Sequence, residues 1–300
     1  MINEDNKVLI TGCGGMLGEA AYEYFKNICQ VYPTDIDINE PWLSYLDVRN
    51  LEQLRSAALK IVPDYIFHLA ALTDMEHCEN DSVEAYRTNS NGTENAAIVC
   101  KELGIPIIYI TTAGTFDGKQ EAYTDYAIPN PLSIYGKSKY AGEVFIKQSL
   151  KEHFIFRPSW MIGGGPKKDK KFVNKIITQI KEGKKELFIV NDKFGTPTYT
   201  YDFVKVMHRV IDLGFYGVYN CACEGAVSRF DLANEILTLK KLNDKIKINP
   251  VNSSYFKEYF AARPKSEILI NLKLKMLGIN INRDWKTCLA EYLSKHDWGI

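Results

Sequence analysis

Residues 7–18 read KVLITGCGGMLG. A short apolar run ends in a burst of glycine: Gly12, Gly14, Gly15 and Gly18 occupy four of seven positions. Gly12, Gly15 and Gly18 fit the spacing G-x-x-G-x-x-G. The alternative G-x-G-x-x-G fails, because Leu17 stands where its third glycine would fall. Either spacing has the same physical reading. A strand ends, the chain turns without side-chain clash, and free N–H groups at the start of the next helix face a pyrophosphate. Asp35 follows 23 residues after Gly12, at the end of the next strand-like run, CQVYPTD. A carboxylate there accepts hydrogen bonds from the adenosine ribose hydroxyls and repels a 2′-phosphate. No Arg or Lys follows within TDIDINEP (34–41). The stretch therefore predicts a dinucleotide site that prefers NAD(H) over NADP(H).

Working outward, strand-like and helix-like patterns alternate. MLGEAAYEYFKNI (16–28) has helical spacing. VRNLEQLRSAALKI (48–61) is amphipathic, PDYIFHLAA (63–71) reads as a strand, SVEAYRTNSNGTENAAIVCKEL (82–103) as one long helix, and IPIIYITT (105–112) as a strand. Repeated strand–helix–strand order means βαβ units and a parallel sheet, with ligands at the carboxyl ends of its strands. FIFRPSW (154–160) reads as one more strand of that sheet, GGGPKKDKK (163–171) as a mobile loop, and three helices follow. KIKINPV (245–251) is a strand and DWKTCLAEYLSK (284–295) a closing helix. The predicted fold is α/β: a Rossmann-type doubly wound parallel sheet over residues 1–160, and a smaller α/β substrate domain over 161–300, with some of its segments returning to the first.

The bulk composition narrows the function. Lys plus Arg and Asp plus Glu number 37 each among 300 residues. A balanced chain has no electrostatic reason to seek nucleic acid or an anionic membrane. No stretch approaches the roughly 18 apolar residues of a membrane span, and no signal-like start is present. Seven scattered cysteines form no CxxC pair, and Cys221-x-Cys223 is too tight for a structural zinc site. We expect reduced thiols, no metal, a cytoplasmic location and, as an assembly to be allowed for, a homodimer.

PLSIYGKSKYAGE (131–143) sets Tyr135 four residues before Lys139, one helical turn apart. Reduction of a ketone by hydride needs a proton donor at the oxygen. A free tyrosine has a pKa near 10, and bringing it to neutrality takes about 4 kcal/mol. A neighbouring ammonium supplies this by favouring the phenolate. Small residues between the two would let cofactor and substrate come close. Pro131 suits a first turn, with Asn130 as its cap. Upstream, YITTAGTFDG (109–118) places Thr111 and Thr112 at a strand end, where a hydroxyl can donate to the substrate oxygen as charge develops. A lone YxxxK is weak. The glycine turn, a strand-end threonine and YxxxK, in that order, are a specific set.

These residues resemble the extended short-chain dehydrogenase/reductase family and, within it, the dTDP-4-dehydrorhamnose reductases. The likeness runs from VLITGCGGMLG through PDYIFHLAALTD, ITTAGTFDG, NPLSIYGKSKYAGE and FRPSW to NDKFGTPTYTYDF and ARPKSEIL, nearly the whole chain. It implies reduction of a 4-keto-6-deoxy nucleotide-diphosphate sugar. Thr112, Tyr135 and Lys139 would be catalytic. Gly12, Gly14, Gly15, Met16, Leu17, Asp35, Asp47, Val48, Ala70, Ala71 and Pro158, with Tyr135 and Lys139, would line the cofactor. Thr73, Thr112, Trp160 and Arg263 would meet the nucleotide sugar. From the residues alone, Asp47 reads equally as a helix cap, Trp160 as a core aromatic and Arg263 as a surface charge. His68 reads as a buried strand residue, and the lysines of GPKKDKK as solvated or closing over a diphosphate.

The chain departs from that family at Ala113-Gly114, where these reductases usually carry Asp-Tyr. The same pair argues against a sugar 4,6-dehydratase, which carries Asp-Glu there for acid–base work. A GDP-fucose synthase would need a cysteine just after its serine. A nucleotide-sugar 4-epimerase, and a non-catalytic relative such as the regulatory subunit of methionine adenosyltransferase, remain the alternatives.

Overall fold

A computed structural model describes residues 1–300. In chain order the first half comprises β1 (Lys7–Thr11), α1 (Met16–Phe25), β2 (Gln30–Asp35), β3 (Ser44–Tyr45), α2 (Leu51–Ile61), β4 (Tyr65–His68), α3 (Met75–Asn80), α4 (Ser82–Tyr86), α5 (Gly92–Leu103), β5 (Ile107–Ile110), α6 (Ile134–Ser149) and β6 (His153–Arg157). The second half comprises β7 (Trp160–Ile162), α7 (Gly165–Lys168), α8 (Phe172–Lys181), β8 (Glu186–Val190), β9 (Phe194–Gly195), β10 (Pro197–Tyr199), α9 (Thr200–Leu213), β11 (Gly217–Asn220), β12 (Val227–Ser228), α10 (Arg229–Leu239), β13 (Lys247–Val251), β14 (Ser266–Glu267), α11 (Leu272–Met276) and α12 (Trp285–Lys295).

Seven strands form one sheet in the order β11-β6-β5-β4-β1-β2-β3, and every neighbouring pair is parallel. Strands that alternate their side chains across a sheet need cover on both faces. Val8 and Ile10 of β1 join Phe67, Ile108 and Phe156 under α1 and α9. Leu9, between them, joins Ile66, Tyr109 and Ile155 under α2, α5 and α6. This is the doubly wound, Rossmann-type fold. The order reverses between β1 and β4, and their carboxyl ends open the crevice in which such sheets hold ligands.

A second core gathers Trp160, Ile176, Leu187, Leu232, Leu289 and Trp298 from the later strands and α8, α10 and α12. α9 and β11, though late in the chain, pack with the large sheet. FIFRPSW is not one strand: β6 stays in the large sheet, and β7 leaves it to pair with β10. The segment 82–103 is helical with a π-turn at Arg87–Asn91. GGGPKKDKK is not a loose loop. Gly163, Gly164 and Gly165 take positive φ and feed the short helix α7. Lys167 then pairs with Glu40 at 2.7 Å, and Lys168 lies 3.2 Å from Glu40 and 3.5 Å from Glu19. Lys168 is buried against these carboxylates beside α1, while Lys167, though paired, stays exposed, as do Lys170 and Lys171. All seven cysteines are free and buried. No helix is long and apolar enough to cross a membrane.

Candidate active site

The strand ends bring the predicted residues into register along one edge. Gly12 ends β1 at φ +71°, and a Cβ there would fall 2.4 Å from the Ala70 N that follows β4. Only glycine permits that approach. A Cβ on Gly18 would fall 2.5 Å from Cys13, so α1 seats directly on the turn. Gly14 N donates to Asp35 Oδ2 at 2.9 Å, and Asp37 N donates to Oδ1 at 3.0 Å. Gly15 is exposed, and a Cβ on it would meet only Gly12 O, at 3.6 Å. The cradle is therefore open over Gly15 and the start of α1, where Met16 is half-buried and Leu17 buried. An open glycine turn on a helix start, beside a carboxylate, fits a dinucleotide. Further along, Asp47 is bound by the Arg49 guanidinium at 2.8–3.1 Å, which holds its carboxyl below the ordinary range. It does not cap α2; Asn50 does. Val48 is buried, and its carbonyl accepts from Asn95 at 2.9 Å. Ala71 is half-buried after Ala70.

Thr112 follows β5 and caps a short turn, its Oγ1 accepting from Gly114 N at 3.1 Å. Ala113 N donates to the Pro158 carbonyl at 2.8 Å, which ties the end of β5 to the end of β6. α6 begins at Ile134, capped by Ser133, whose Oγ accepts from Gly136 N. The Asn130 cap expected from the sequence does not form; its amide instead donates to Asp117 at 3.1 Å. The small residues of α6 have a packing reason. A Cβ on Gly136 would lie 2.3 Å from Gly114 O, and one on Gly142 would lie 2.9 Å from Thr93. α6 thus approaches the strand ends closely enough that a Cβ on Gly114 would touch both Thr112 Oγ1, at 3.4 Å, and the Tyr135 ring, at 3.8 Å.

The charge balance differs from the sequence argument. Burial pushes the Tyr135 phenol up to about 12, and the neighbouring Thr112 side chain opposes this only in part. Burial lowers Lys139 to about 7. Its ammonium lies 4.3 Å from the Tyr109 ring centre and meets no carboxylate. In the chain alone, desolvation outweighs any pull of the ammonium on the phenol. Tyr135 is consequently a neutral O–H at physiological pH. His68 is buried between Thr11 Oγ1 at 2.9 Å and Thr93 Oγ1 at 3.1 Å, and burial lowers it to about 3.

The other residues expected at the substrate are each engaged by a further side chain. The Thr73 hydroxyl accepts from Lys171 Nζ at 3.1 Å. The Trp160 indole donates to Glu267 Oε2 at 2.8 Å. Its ring packs on Gly195, where a Cβ would lie 2.4 Å away, and the Arg229 guanidinium lies 3.5 Å from its centre. Arg263 grips Glu76 through two hydrogen bonds of 2.7 and 2.8 Å. Glu76, Arg229 and Glu267 escaped the sequence reading. Glu267 bears electrostatically on both Tyr135 and Arg229. Arg229 reads in SRFDLA as an ordinary first-turn residue, and no local pattern marks it.

Residues 6–297 match the family described as the RmlD substrate binding domain. The chain is similar to the spore coat polysaccharide biosynthesis protein SpsK of Bacillus subtilis, with 30% identity covering 96% of this chain and 97% of that one. It is similar to dTDP-4-dehydrorhamnose reductase of Mycobacterium tuberculosis, with 28% identity covering 98% and 94%. Among solved structures, dTDP-4-dehydrorhamnose reductase of Bacillus anthracis in complex with NADP superposes with a TM-score of 0.89 and 31% identity, covering 97% and 100%.

Proposed function

The chain belongs to the RmlD substrate binding domain family, and on that premise we propose that it reduces the keto group of a 4-keto-6-deoxy nucleotide sugar. The observation that carries this is the neutral Tyr135 phenol next to Thr112 and Gly114 at the end of β5, one helical turn from Lys139 and on the sheet edge that also carries the open glycine turn. A reductase needs a protonated group at the carbonyl oxygen, and burial keeps this phenol protonated. Gly12, Gly14, Gly15 and the start of α1 would hold the pyrophosphate. The bound reduced nicotinamide supplies hydride. The Tyr135 O–H gives its proton to the substrate oxygen, and the Thr112 hydroxyl donates a hydrogen bond to the same oxygen. Lys139, buried without a counter-ion, would hydrogen-bond the cofactor ribose and favour the phenolate left behind.

We assign a preference for NAD(H) over NADP(H) to the carboxylate of Asp35, which would repel a 2′-phosphate, with Asp37 two residues on. The relative from Bacillus anthracis binds NADP, so comparing the KM of NADH with that of NADPH decides the matter. The sheet domain, 1–160, would bind the cofactor and the second core the nucleotide sugar. The experiment is a screen of 4-keto-6-deoxy sugars carrying dTDP, UDP, GDP or CDP, following loss of absorbance of the reduced cofactor. Turnover of at least one supports the reading. No net oxidation with any of them overturns it.

A further inference from the structure

We propose that Arg229, not Arg263, is the side chain that grips the diphosphate of the nucleotide sugar. The inference rests on the reading above and assigns one part of its site. Its basis is how the two guanidinium groups are already engaged. Arg263 spends both terminal nitrogens on Glu76 at 2.7 and 2.8 Å, and one of them also on the Ala261 carbonyl at 3.1 Å. Its charge is matched and its fork is filled. Arg229 is the opposite case. Its guanidinium is stacked between two rings, 3.5 Å from the centre of Trp160 and 4.9 Å from that of Phe172. No protein acceptor takes its N–H groups, and no carboxylate pairs with it; burial lowers it to about 10.

Stacking fixes the plane of a guanidinium through its faces and leaves the donors around its edge free. A planar fork held in that way suits two oxygens of a phosphate. The surroundings add to the field. Arg263 and Lys171 both act electrostatically on Arg229 or feel its charge. Glu267, which accepts from the Trp160 indole at 2.8 Å, bears electrostatically on both Arg229 and Tyr135. Arg229 therefore shares its surroundings with Glu267, Arg263 and Lys171, the last of which donates to the Thr73 hydroxyl at 3.1 Å. The Trp160 ring is buried, with the Arg229 guanidinium over it and Gly195 packed against it. Trp160 thus serves the ligand as a platform for the arginine and does not stack on the ligand itself.

The test is calorimetric titration of dTDP, and in parallel UDP, into the full-length chain saturated with NADH. Arg229→Gln should weaken the nucleoside diphosphate by about 10- to 100-fold, the usual worth of hydrogen bonds to a charged group. Arg229→Lys keeps the charge without the fork and should fall between. NADH affinity should stay at the wild-type value in both. In turnover, Arg229→Gln should raise KM for the sugar nucleotide and leave kcat nearly unchanged. Wild-type diphosphate affinity in Arg229→Gln would overturn the assignment and leave the proposed reaction standing. Parallel loss of NADH and diphosphate binding in both variants would mark a structural role and also overturn it. Failure of the wild-type chain to bind any nucleoside diphosphate would overturn the proposed reaction as well.

Discussion

The Lys139 ammonium lies 4.3 Å from the centre of the Tyr109 ring, while the Tyr109 hydroxyl donates to the Lys139 carbonyl at 2.9 Å. The same tyrosine that fixes the helix backbone offers the ammonium its nearest compensation. A ring face is a weak substitute for a carboxylate. Burial accordingly lowers Lys139 from 10.5 to about 7. Below about pH 7 it is charged in folded and unfolded chains alike, and the folded state bears the full desolvation cost. Between 7 and 10.5 the folded chain is neutral there while the unfolded chain still binds a proton. Stability from this group therefore rises with pH across that window. Lys139→Met should raise the Tm of the cofactor-free protein, by several degrees and more at pH 6 than at pH 9, while abolishing reduction. A lower Tm at pH 6 would contradict this account of the lysine.

Tyr135→Phe removes the proton donor beside Thr112 but leaves the ring's packing. Turnover should drop by about 10²- to 10⁴-fold, as for loss of a general acid. NADH binding, followed by fluorescence, should be retained. Thr112→Val should also fall steeply, and Thr112→Ser should recover most of the rate, because serine restores the donor.

His68 is neutral in the fold, since burial holds it near 3 against an ordinary 6.5, and the Lys139 charge adds to the effect. Above about pH 6.5 its contribution is intact. As pH falls from 6.5 toward 3, the unfolded chain takes a proton that the folded chain refuses. Stability should then be lost at up to about 1.4 kcal/mol per pH unit. Urea unfolding between pH 7 and 5 measures this slope. His68→Gln should flatten it, whatever that variant costs at pH 7. An unchanged slope would mean that other groups govern the acid limb.

Two neighbouring glycines should respond in opposite ways. Gly136→Ala drives a Cβ to 2.3 Å from the Gly114 carbonyl. It should cost about 3 kcal/mol or more, because neither helix nor strand end can yield. Gly114→Ala meets only the Thr112 side chain at 3.4 and 3.5 Å and the Tyr135 ring at 3.8 Å, all ordinary contacts. Its stability should be unchanged or gain a few tenths of a kcal/mol. Because the methyl lands beside the phenol, sugar selectivity should change instead. Denaturant midpoints separate the two variants.

The order of elements, the parallel sheet and the glycine turn were legible in the sequence because they rest on local periodicity and on steric rules that a few residues state in full. Gly12 had to be glycine for a backbone approach that the turn itself announces. That Tyr135 and Lys139 lie one turn apart on a single helix followed from helical spacing alone. The protonation of that pair did not, because desolvation depends on what packs around it, and Tyr109 and Thr112 reach α6 from another part of the chain. The same holds for the arginines. In sequence, Arg263 sits in a recognisable motif and Arg229 in none. Only the tertiary structure sets Glu76, 187 residues away, against the first, and lays Trp160 and Phe172 on the faces of the second. Charge compensation is a long-range property of packing, and a one-dimensional pattern holds no measure of it.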